Sequence, residues 1–140
     1  MERVLVTGAN GHIGSNLVRV LRDRGIGVRA FVRSTSDLRG LQGLHVELFT
    51  GDLLDADSLV RAAEGCDALF HAGSVYRNWA RDEDEILRPA VEGTENALRA
   101  AKEAGIGRVV LTSSSNAVGF AREDEPPRDE THYNDGAASP

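Results

Sequence analysis

A glycine-rich turn near the start of the chain is the segment whose residue types and spacing most directly suggest chemistry. Residues 7–14 read TGANGHIG and follow the apolar run at residues 4–6. Gly8 permits a tight turn, Gly11 lets an anion approach the backbone, and Gly14 allows a following helix to pack closely on the strand. Because the first N–H groups of a helix are unpaired and positively polarised, this turn predicts a site for a dinucleotide pyrophosphate. Glycines kept for packing alone are the competing interpretation.

The end of the second apolar run bears on which dinucleotide would bind. Residues 30–34 read AFVRS, so no carboxylate stands where NAD-selective sites hold the ribose 2′-hydroxyl, about 20 residues after the glycine turn. The Arg33 guanidinium suits a 2′-phosphate instead, and Ser34 can add a hydrogen bond. We therefore expect NADP(H), with NAD(H) as the alternative and a solvated surface arginine as the competing interpretation. Arg29 lies in the same run, but alternation along the strand predicts that it faces away from a cofactor.

A third candidate contact follows the third apolar run. Asp52 and Leu53 belong to the sequence GDLLD at residues 51–55. At the carboxyl edge of a parallel sheet, Asp52 could accept a hydrogen bond from the amino group of an adenine. Aspartate is also a common first residue of a turn. The sequence leaves both interpretations open.

Apolar runs that alternate with segments of helical period supply the elements that would position these residues. The pattern predicts strands at residues 4–6, 28–32, 45–49, 68–70 and 108–112. It predicts helices at residues 13–24, 55–64 and 82–104, the last of them interrupted near Pro89. Asp55 is the expected N-cap of the second helix, and Gly65 is its expected stop.

Strands with little polar alternation that are separated by helices indicate parallel pairing with both faces buried. The right-handed crossover rule then predicts an α/β fold. Its core would be a doubly wound, Rossmann-type parallel sheet of about five strands in the order 3-2-1-4-5.

The pattern changes after residue 119. Residues 120–140 contain the run EDEPP and further acidic and small residues, which cannot supply a sixth strand. We expect a nucleotide-binding domain at residues 1–119 and a poorly ordered acidic tail at residues 120–140. A five-stranded sheet without a following helix would expose apolar surface on one face, which predicts that the C-terminal part of a larger fold is missing.

Composition excludes several other classes of function. The 140 residues carry a formal net charge of -6 with a pI of about 5.2, which disfavours binding to nucleic acid and to anionic membranes. No apolar run reaches the roughly 20 residues that cross a bilayer, and no secretory signal is present, so we expect a cytoplasmic protein. The single cysteine, Cys66, excludes an internal disulfide, and the scattered histidines have no metal-ligand spacing, so no metal site is expected.

Five motifs occur in a characteristic order. They are TGANGHIGSNL, GDLLD, FHAGS, RPAVEGTENAL and RVVLTSSSNAVG, and the resemblance that they carry covers roughly residues 2–120. In this combination the chain resembles the extended short-chain dehydrogenase/reductase family, in its NAD(P)-dependent epimerase/dehydratase group. The sequence PAVEGT and the arginine after the second strand look like the branch of dihydroflavonol and cinnamoyl-CoA reductases. Ala90 departs from the nucleotide-sugar epimerases, in which asparagine is usual at that position.

The resemblance implies roles for particular residues. The pyrophosphate would be held by Gly8, Asn10, Gly11, His12, Ile13 and Gly14. The 2′-phosphate would lie at Arg33 and the adenine at Asp52 and Leu53. Ala72 and Gly73 would line the ribose and nicotinamide side. Ser114 matches the catalytic serine of the family, and a slip of one residue would make it Ser113 or Ser115.

Catalysis in this family also uses a tyrosine with a lysine four residues later, which lowers the tyrosine pKa so that the phenol exchanges a proton. Tyr76 and Tyr133 are both followed by alanine at that spacing, and the only lysine, Lys102, is preceded by Leu98. We expect the pair to lie beyond residue 140 and the 140-residue chain to be inactive by itself.

The expected function is therefore cofactor binding within an NADP(H)-dependent oxidoreductase. Its substrate would be a small-molecule carbonyl or secondary alcohol, and a homodimer is among the expected assemblies. An NAD-dependent nucleotide-sugar epimerase or dehydratase is one alternative. A non-catalytic module that senses NADP(H) or scaffolds a partner is the other.

Overall fold

The computed structural model describes residues 1–75 and 79–134. Its strands are β1 (Arg3–Thr7), β2 (Gly27–Val32), β3 (Glu47–Thr50), β4 (Ala68–His71) and β5 (Arg108–Leu111). Its α-helices are α1 (His12–Asp23), α2 (Ala56–Ala63) and α3 (Asp84–Glu103), and short 3-10 turns occupy Arg39–Leu41 and Ser115–Ala117. Tyr76 and the last part of the predicted tail, residues 135–140, lie outside the described residues.

The five strands form one parallel sheet in the order β3-β2-β1-β4-β5. Val4 of β1 pairs with Val28 on one side and with Ala68 on the other. The predicted Rossmann-type topology is confirmed. Because the strands are parallel, the ends of β1, β2 and β4 and the loops that follow them meet at one edge of the sheet.

Alternate residues of β1 enter two separate apolar layers. Val4 and Val6 pack with Val18 of α1 on one face of the sheet, whereas Leu5 packs with Leu59 of α2 and Ala97 of α3 on the other. Each fully buried aliphatic side chain of this kind stabilises the fold by about 1.5–3 kcal/mol. The two layers fix the sheet between α1 and the α2–α3 pair, and so fix the loops at its carboxyl edge.

Local signals set the limits of α2 as the sequence predicts. The Asp55 carboxylate accepts a hydrogen bond from the Ser58 N–H at 3.1 Å, which satisfies an otherwise unpaired donor of the first turn. After the helix, Gly65 adopts a φ of 68°, in the left-handed region where glycine carries no steric penalty.

The expected interruption of the third helix at Pro89 is wrong. Helix α3 runs without a break from Asp84 to Glu103 with Pro89 inside it. A proline removes one backbone donor, but the buried stripe that begins at Gly93 and continues through Ala97 and Ala101 holds the helix on the sheet. Tertiary packing thus overrides a local helix-breaking signal.

The edge strand β5 leaves apolar side chains exposed. Val109, Val110 and Leu111 retain 36%, 44% and 47% of their accessible surface. Because neighbouring strand residues face opposite ways, this exposure affects both faces of the sheet rather than the single face expected from the sequence.

Within residues 120–134 the structure contains no helix or strand, and Asn134 N–H donates to the Ala117 carbonyl at 2.8 Å. No helix within residues 1–75 and 79–134 is long and apolar enough to span a membrane.

Candidate cofactor cleft

A cleft of about 730 Å³ opens at the carboxyl edge of the sheet. This volume lies in the usual range for sites that bind small molecules and cofactors. Eight of the residues singled out from the sequence line it, namely Gly8, Asn10, Gly11, Arg33, Asp52, Leu53, Ala72 and Gly73. Five others, namely His12, Ile13, Gly14, Ser34 and Ser114, are not among the residues that line it.

The glycine turn is packed against the end of β4. Gly8 has a φ of 65°, and a β-carbon there would lie 2.7 Å from the Ala72 carbonyl oxygen and from the backbone of Gly73. At Gly14 a β-carbon would come within 2.0 Å of the Gly8 carbonyl oxygen. Gly11 N–H closes the turn by donating to that same carbonyl at 3.0 Å. The turn is therefore held close to the end of β4, and Gly8 and Gly11 line the cleft with backbone alone, which fits the approach of a phosphate.

The start of α1 fits the same ligand. Its N-cap, Gly11, provides no side-chain hydrogen bond, and the first turn contains no acidic residue. Unpaired N–H groups and the helix dipole at such an end favour an anion. His12 and Ile13 have exposed side chains outside the cleft lining, and Gly14 is buried. These three residues could therefore bind an anion through their backbone N–H groups.

Arg33 is the cation that the loop after β2 brings to the cleft. Its side chain is exposed at the rim, and its backbone N–H donates to the Ser36 hydroxyl at 3.1 Å. Arg39, in the same loop, is paired with Asp37 at 2.6 Å, and this contact lowers the pKa of the Asp37 carboxyl. Ser36 lines the cleft in place of Ser34.

Arg29 takes no part in the cleft. Its side chain is buried and donates from Nη1 to the carbonyls of Ala62 and Glu64 at the end of α2. Nε donates to the Glu47 carboxylate at 2.9 Å. Alternation does not explain why Arg33 differs, because residues four apart in a strand share a face. Arg29 lies within β2 beside the end of α2, whereas Arg33 directly follows the last residue of β2 and reaches the cleft rim.

Asp52 begins a turn, as one of the two interpretations of the sequence predicts, and it stands at the cleft, where the other, a contact with an adenine, stays a prediction. Its carboxylate accepts from Leu54 N–H at 2.9 Å, so it begins a turn, and it also lines the cleft. Leu53 beside it is wedged between two glycines. A β-carbon at Gly93 would lie 2.9 Å from the Leu53 side chain, and one at Gly73 would lie 3.1 Å from it.

The start of α3 forms a wall of the cleft that sequence reasoning missed. Its lining residues are Asp82, Asp84, Glu85, Arg88 and Pro89. Arg88 forms an ion pair with Glu92 one turn later, at 3.1 Å. The charge run at residues 81–85 is typical of a solvated helix start, and its periodicity carries no signal that it faces a cleft.

A partly buried hydrogen-bond network begins at Thr7, the residue that leads into the turn. Thr7 Oγ1 lies 2.8 Å from His71 Nδ1, and His71 Nε2 lies 3.2 Å from Thr94 Oγ1. Thr94 donates onward to the Ala90 carbonyl at 2.6 Å, and Gly73 N–H donates to Thr7 Oγ1 at 3.2 Å. Burial lowers the pKa of His71 because the imidazolium would lose its hydration.

The buried imidazole makes stability depend on pH. Because its pKa in the folded chain is below the ordinary value of 6.5, the unfolded chain takes up protons first as the pH falls toward 6.5. We expect the urea midpoint of unfolding to fall as the pH decreases from about 7.5 to about 5.5. A His45→Gln variant, which replaces an exposed histidine, should show the same fall, and a His71→Gln variant should lose it. A flat profile for the unsubstituted chain would contradict this assignment.

Ser114 lies beyond β5 and outside the cleft lining. It is exposed, and its hydroxyl accepts from Asn116 N–H at 3.2 Å, which starts the short turn at Ser115–Ala117. Two residues before it, Thr112 N–H donates at 3.0 Å to the carbonyl of His71, which directly precedes the cleft-lining Ala72. Ser113 and Ser115, the alternatives to Ser114, are exposed as well.

Comparison with known proteins shows the family to which this chain belongs. A family model described as NAD(P)H-binding matches residues 8–137. The chain belongs to that family. This finding and the relatives below confirm the resemblance that the motifs predict.

Curated relatives include several proteins named as reductases. The chain is 47% identical over 116 residues to sterol demethylase protein B of Methylococcus capsulatus, covering 83% of this chain and 35% of that protein. It is 43% identical over 141 residues to cinnamoyl-CoA reductase 1 of Petunia hybrida, covering 94% and 41%. It is 37% identical over 142 residues to dihydroflavonol 4-reductase of Zea mays, covering 94% and 40%. The chain thus spans 35% to 41% of the length of these relatives.

Solved structures with the same fold include dehydrogenases and epimerases. A short-chain dehydrogenase/reductase superfamily protein from Agrobacterium tumefaciens, with bound NAD, is 34% identical with a TM-score of 0.73, covering 90% of this chain and 39% of that one. An epimerase from Methanothermobacter thermautotrophicus is 28% identical with a TM-score of 0.81, covering 94% and 40%. The chain is therefore similar to both kinds of enzyme.

Proposed function

We propose that the chain binds NADP(H) and serves as the cofactor-binding part of an oxidoreductase that acts on a carbonyl or a secondary alcohol. One observation carries the choice of cofactor: Arg33 stands at the rim of the cleft directly after β2, and the segment AFVRS at residues 30–34 contains no carboxylate. A guanidinium there can bind a 2′-phosphate through charge-assisted hydrogen bonds. The reductases among the relatives support the class of reaction.

Different residues of the cleft would bind different parts of the cofactor. The pyrophosphate would lie on the backbone of the glycine turn and the start of α1, contributed by Gly8, Asn10, Gly11, His12, Ile13 and Gly14. The adenine would lie against Asp52 and Leu53, and the ribose and nicotinamide against Ala72 and Gly73. Arg33 would hold the 2′-phosphate, with Ser34 and the cleft-lining Ser36 as nearby hydroxyl donors. When bound, the cofactor supplies or accepts the hydride.

The proton chemistry of such a reaction needs more than this chain provides. Ser114 would orient the substrate oxygen by a hydrogen bond. The 140 residues contain no tyrosine followed by lysine at the fourth position, so they lack the acid–base pair that the resemblance implies. The chain alone should therefore bind cofactor without turnover.

A nucleotide-sugar epimerase that uses NAD is the second candidate. The epimerase structure at 28% identity and the Agrobacterium structure with bound NAD favour it. Ala90, at the position where the epimerases usually carry asparagine, counts against it.

Calorimetric titration separates the two candidates. We expect NADPH to bind the purified chain at least about tenfold more tightly than NADH, since a charge-assisted hydrogen bond contributes about 1.5–3 kcal/mol. We also expect no ketone-dependent oxidation of NADPH by the 140-residue chain. Equal affinity for the two cofactors, or NAD that copurifies with the chain, would contradict the NADP(H) proposal and favour the epimerase.

A further inference from the structure

We propose that His71, in its neutral Nε2–H tautomer, is a positioning residue for the cofactor cleft. It orients the Thr7 hydroxyl so that Thr7 accepts the Gly73 N–H, which holds the end of β4 against the glycine turn. The inference rests on the proposed cofactor site for its functional consequence. Its structural basis is the direction of four hydrogen bonds, one buried and three partly buried.

The direction of the network follows from its two ends. Thr94 donates its single hydroxyl proton to the Ala90 carbonyl at 2.6 Å, so it can only accept from the imidazole. His71 Nε2 must therefore carry the proton of the 3.2 Å contact with Thr94. In a neutral imidazole the other nitrogen is then an acceptor, and Nδ1 receives the Thr7 hydroxyl at 2.8 Å.

The Thr7 hydroxyl connects the imidazole to the cleft wall. With its proton directed to His71, the oxygen accepts from Gly73 N–H at 3.2 Å. Gly73 and Ala72 line the cleft and touch the position where Gly8 would carry a side chain. An Nδ1–H tautomer would instead place a second donor against Thr7 Oγ1 and turn its hydroxyl proton away from His71.

The same network joins helix α3 to the cleft. Thr94 and Ala90 lie on α3, and the same helix lines the cleft with Arg88 and Pro89. A second polar contact reinforces this packing, because Asn96 Nδ2 donates to the Leu53 carbonyl at 3.0 Å. The hydrogen bond between His71 and Thr94 therefore couples the position of the α3 wall to that of the glycine turn.

Nitrogen NMR of the ¹⁵N-histidine-labelled 140-residue chain tests the tautomer without any substitution. The proposal expects a protonated Nε2 and an unprotonated Nδ1 for His71 at neutral pH. A protonated Nδ1 would overturn it, whether or not the chain binds a cofactor. Failure of both NADPH and NADH to bind would overturn the proposed function and leave the tautomer result standing on its own.

A matched pair of variants tests the consequence for binding. Thr94→Val keeps the side-chain shape but removes the acceptor, whereas Thr94→Ser keeps the hydroxyl. We expect Thr94→Val to lose the tautomer preference and to bind NADPH about threefold to tenfold more weakly, as for one lost hydrogen bond, and Thr94→Ser to retain both properties. A folded Thr94→Val chain with unchanged tautomer and unchanged affinity would overturn the proposal. If Thr94→Val does not fold, the NMR result on the unsubstituted chain decides.

Discussion

Replacing Gly14 with alanine is expected to cost about 3 kcal/mol of folding stability and to abolish measurable cofactor binding. The added β-carbon would lie 2.0 Å from the Gly8 carbonyl oxygen, 2.8 Å from its carbon and 2.9 Å from Ala9 Cα. All three neighbours are backbone atoms, so the clash cannot be relieved by rotating a side chain. Either α1 moves off the sheet or the glycine turn opens. Thermal unfolding should show a loss of about 10 °C, and calorimetry with NADPH should show no heat of binding.

Gly107→Ala is the matched control. Gly107 is not one of the glycines with a positive φ, and a β-carbon there would meet nothing within 4 Å. The same substitution should therefore leave the melting temperature and the NADPH affinity close to their original values. If Gly14→Ala were as well tolerated as Gly107→Ala, the close packing of the turn on α1 would be wrong.

Replacing Arg33 with glutamine is expected to weaken NADPH binding about tenfold to a hundredfold and to leave NADH binding unchanged. The two cofactors differ only in the 2′-phosphate, so an effect confined to NADPH locates the guanidinium at that group. Because Arg33 is exposed, part of its contribution should be screened by salt. The measurement is a pair of calorimetric titrations at low and at physiological ionic strength.

Arg61→Gln controls for net charge. Arg61 is exposed on α2 and is not among the residues that line the cleft. Both variants remove one positive charge, so a loss of NADPH affinity shared by the two would indicate a long-range charge effect. A parallel loss of NADH affinity in Arg33→Gln would place the guanidinium elsewhere on the cofactor.

The parts of the cleft that sequence could locate are those that follow a strand directly. The glycine turn continues β1 and Arg33 continues β2, and the carboxyl ends of these neighbouring parallel strands must meet at one edge. Topology and the strand ends together therefore predict the proximity of these two segments. Ser36 could have been found as well, since a serine three residues after Arg33 is typical of a local turn that binds backbone N–H groups.

Other parts depend on contacts that no local pattern encodes. His71 meets its two partners at sequence separations of 64 and 23 residues, so its network exists only after the sheet and α3 have come together. The wall at Asp84 and Arg88 depends on the angle at which α3 crosses the sheet. The interruption predicted at Pro89 is wrong because the proline rule considers one lost backbone hydrogen bond and ignores the packing of the buried residues that follow in α3.

The central position of β1 has a consequence for the order in which the fold is assembled. β1 is made first, but its second neighbour, β4, begins only at Ala68. During synthesis from the N-terminus, β1, β2 and β3 can pair while the other edge of β1 is still open, and closing it requires a contact of long range. At that stage the glycine turn still lacks one of its packing partners. Gly8 packs against Ala72 and Gly73, which follow β4 and are therefore made later.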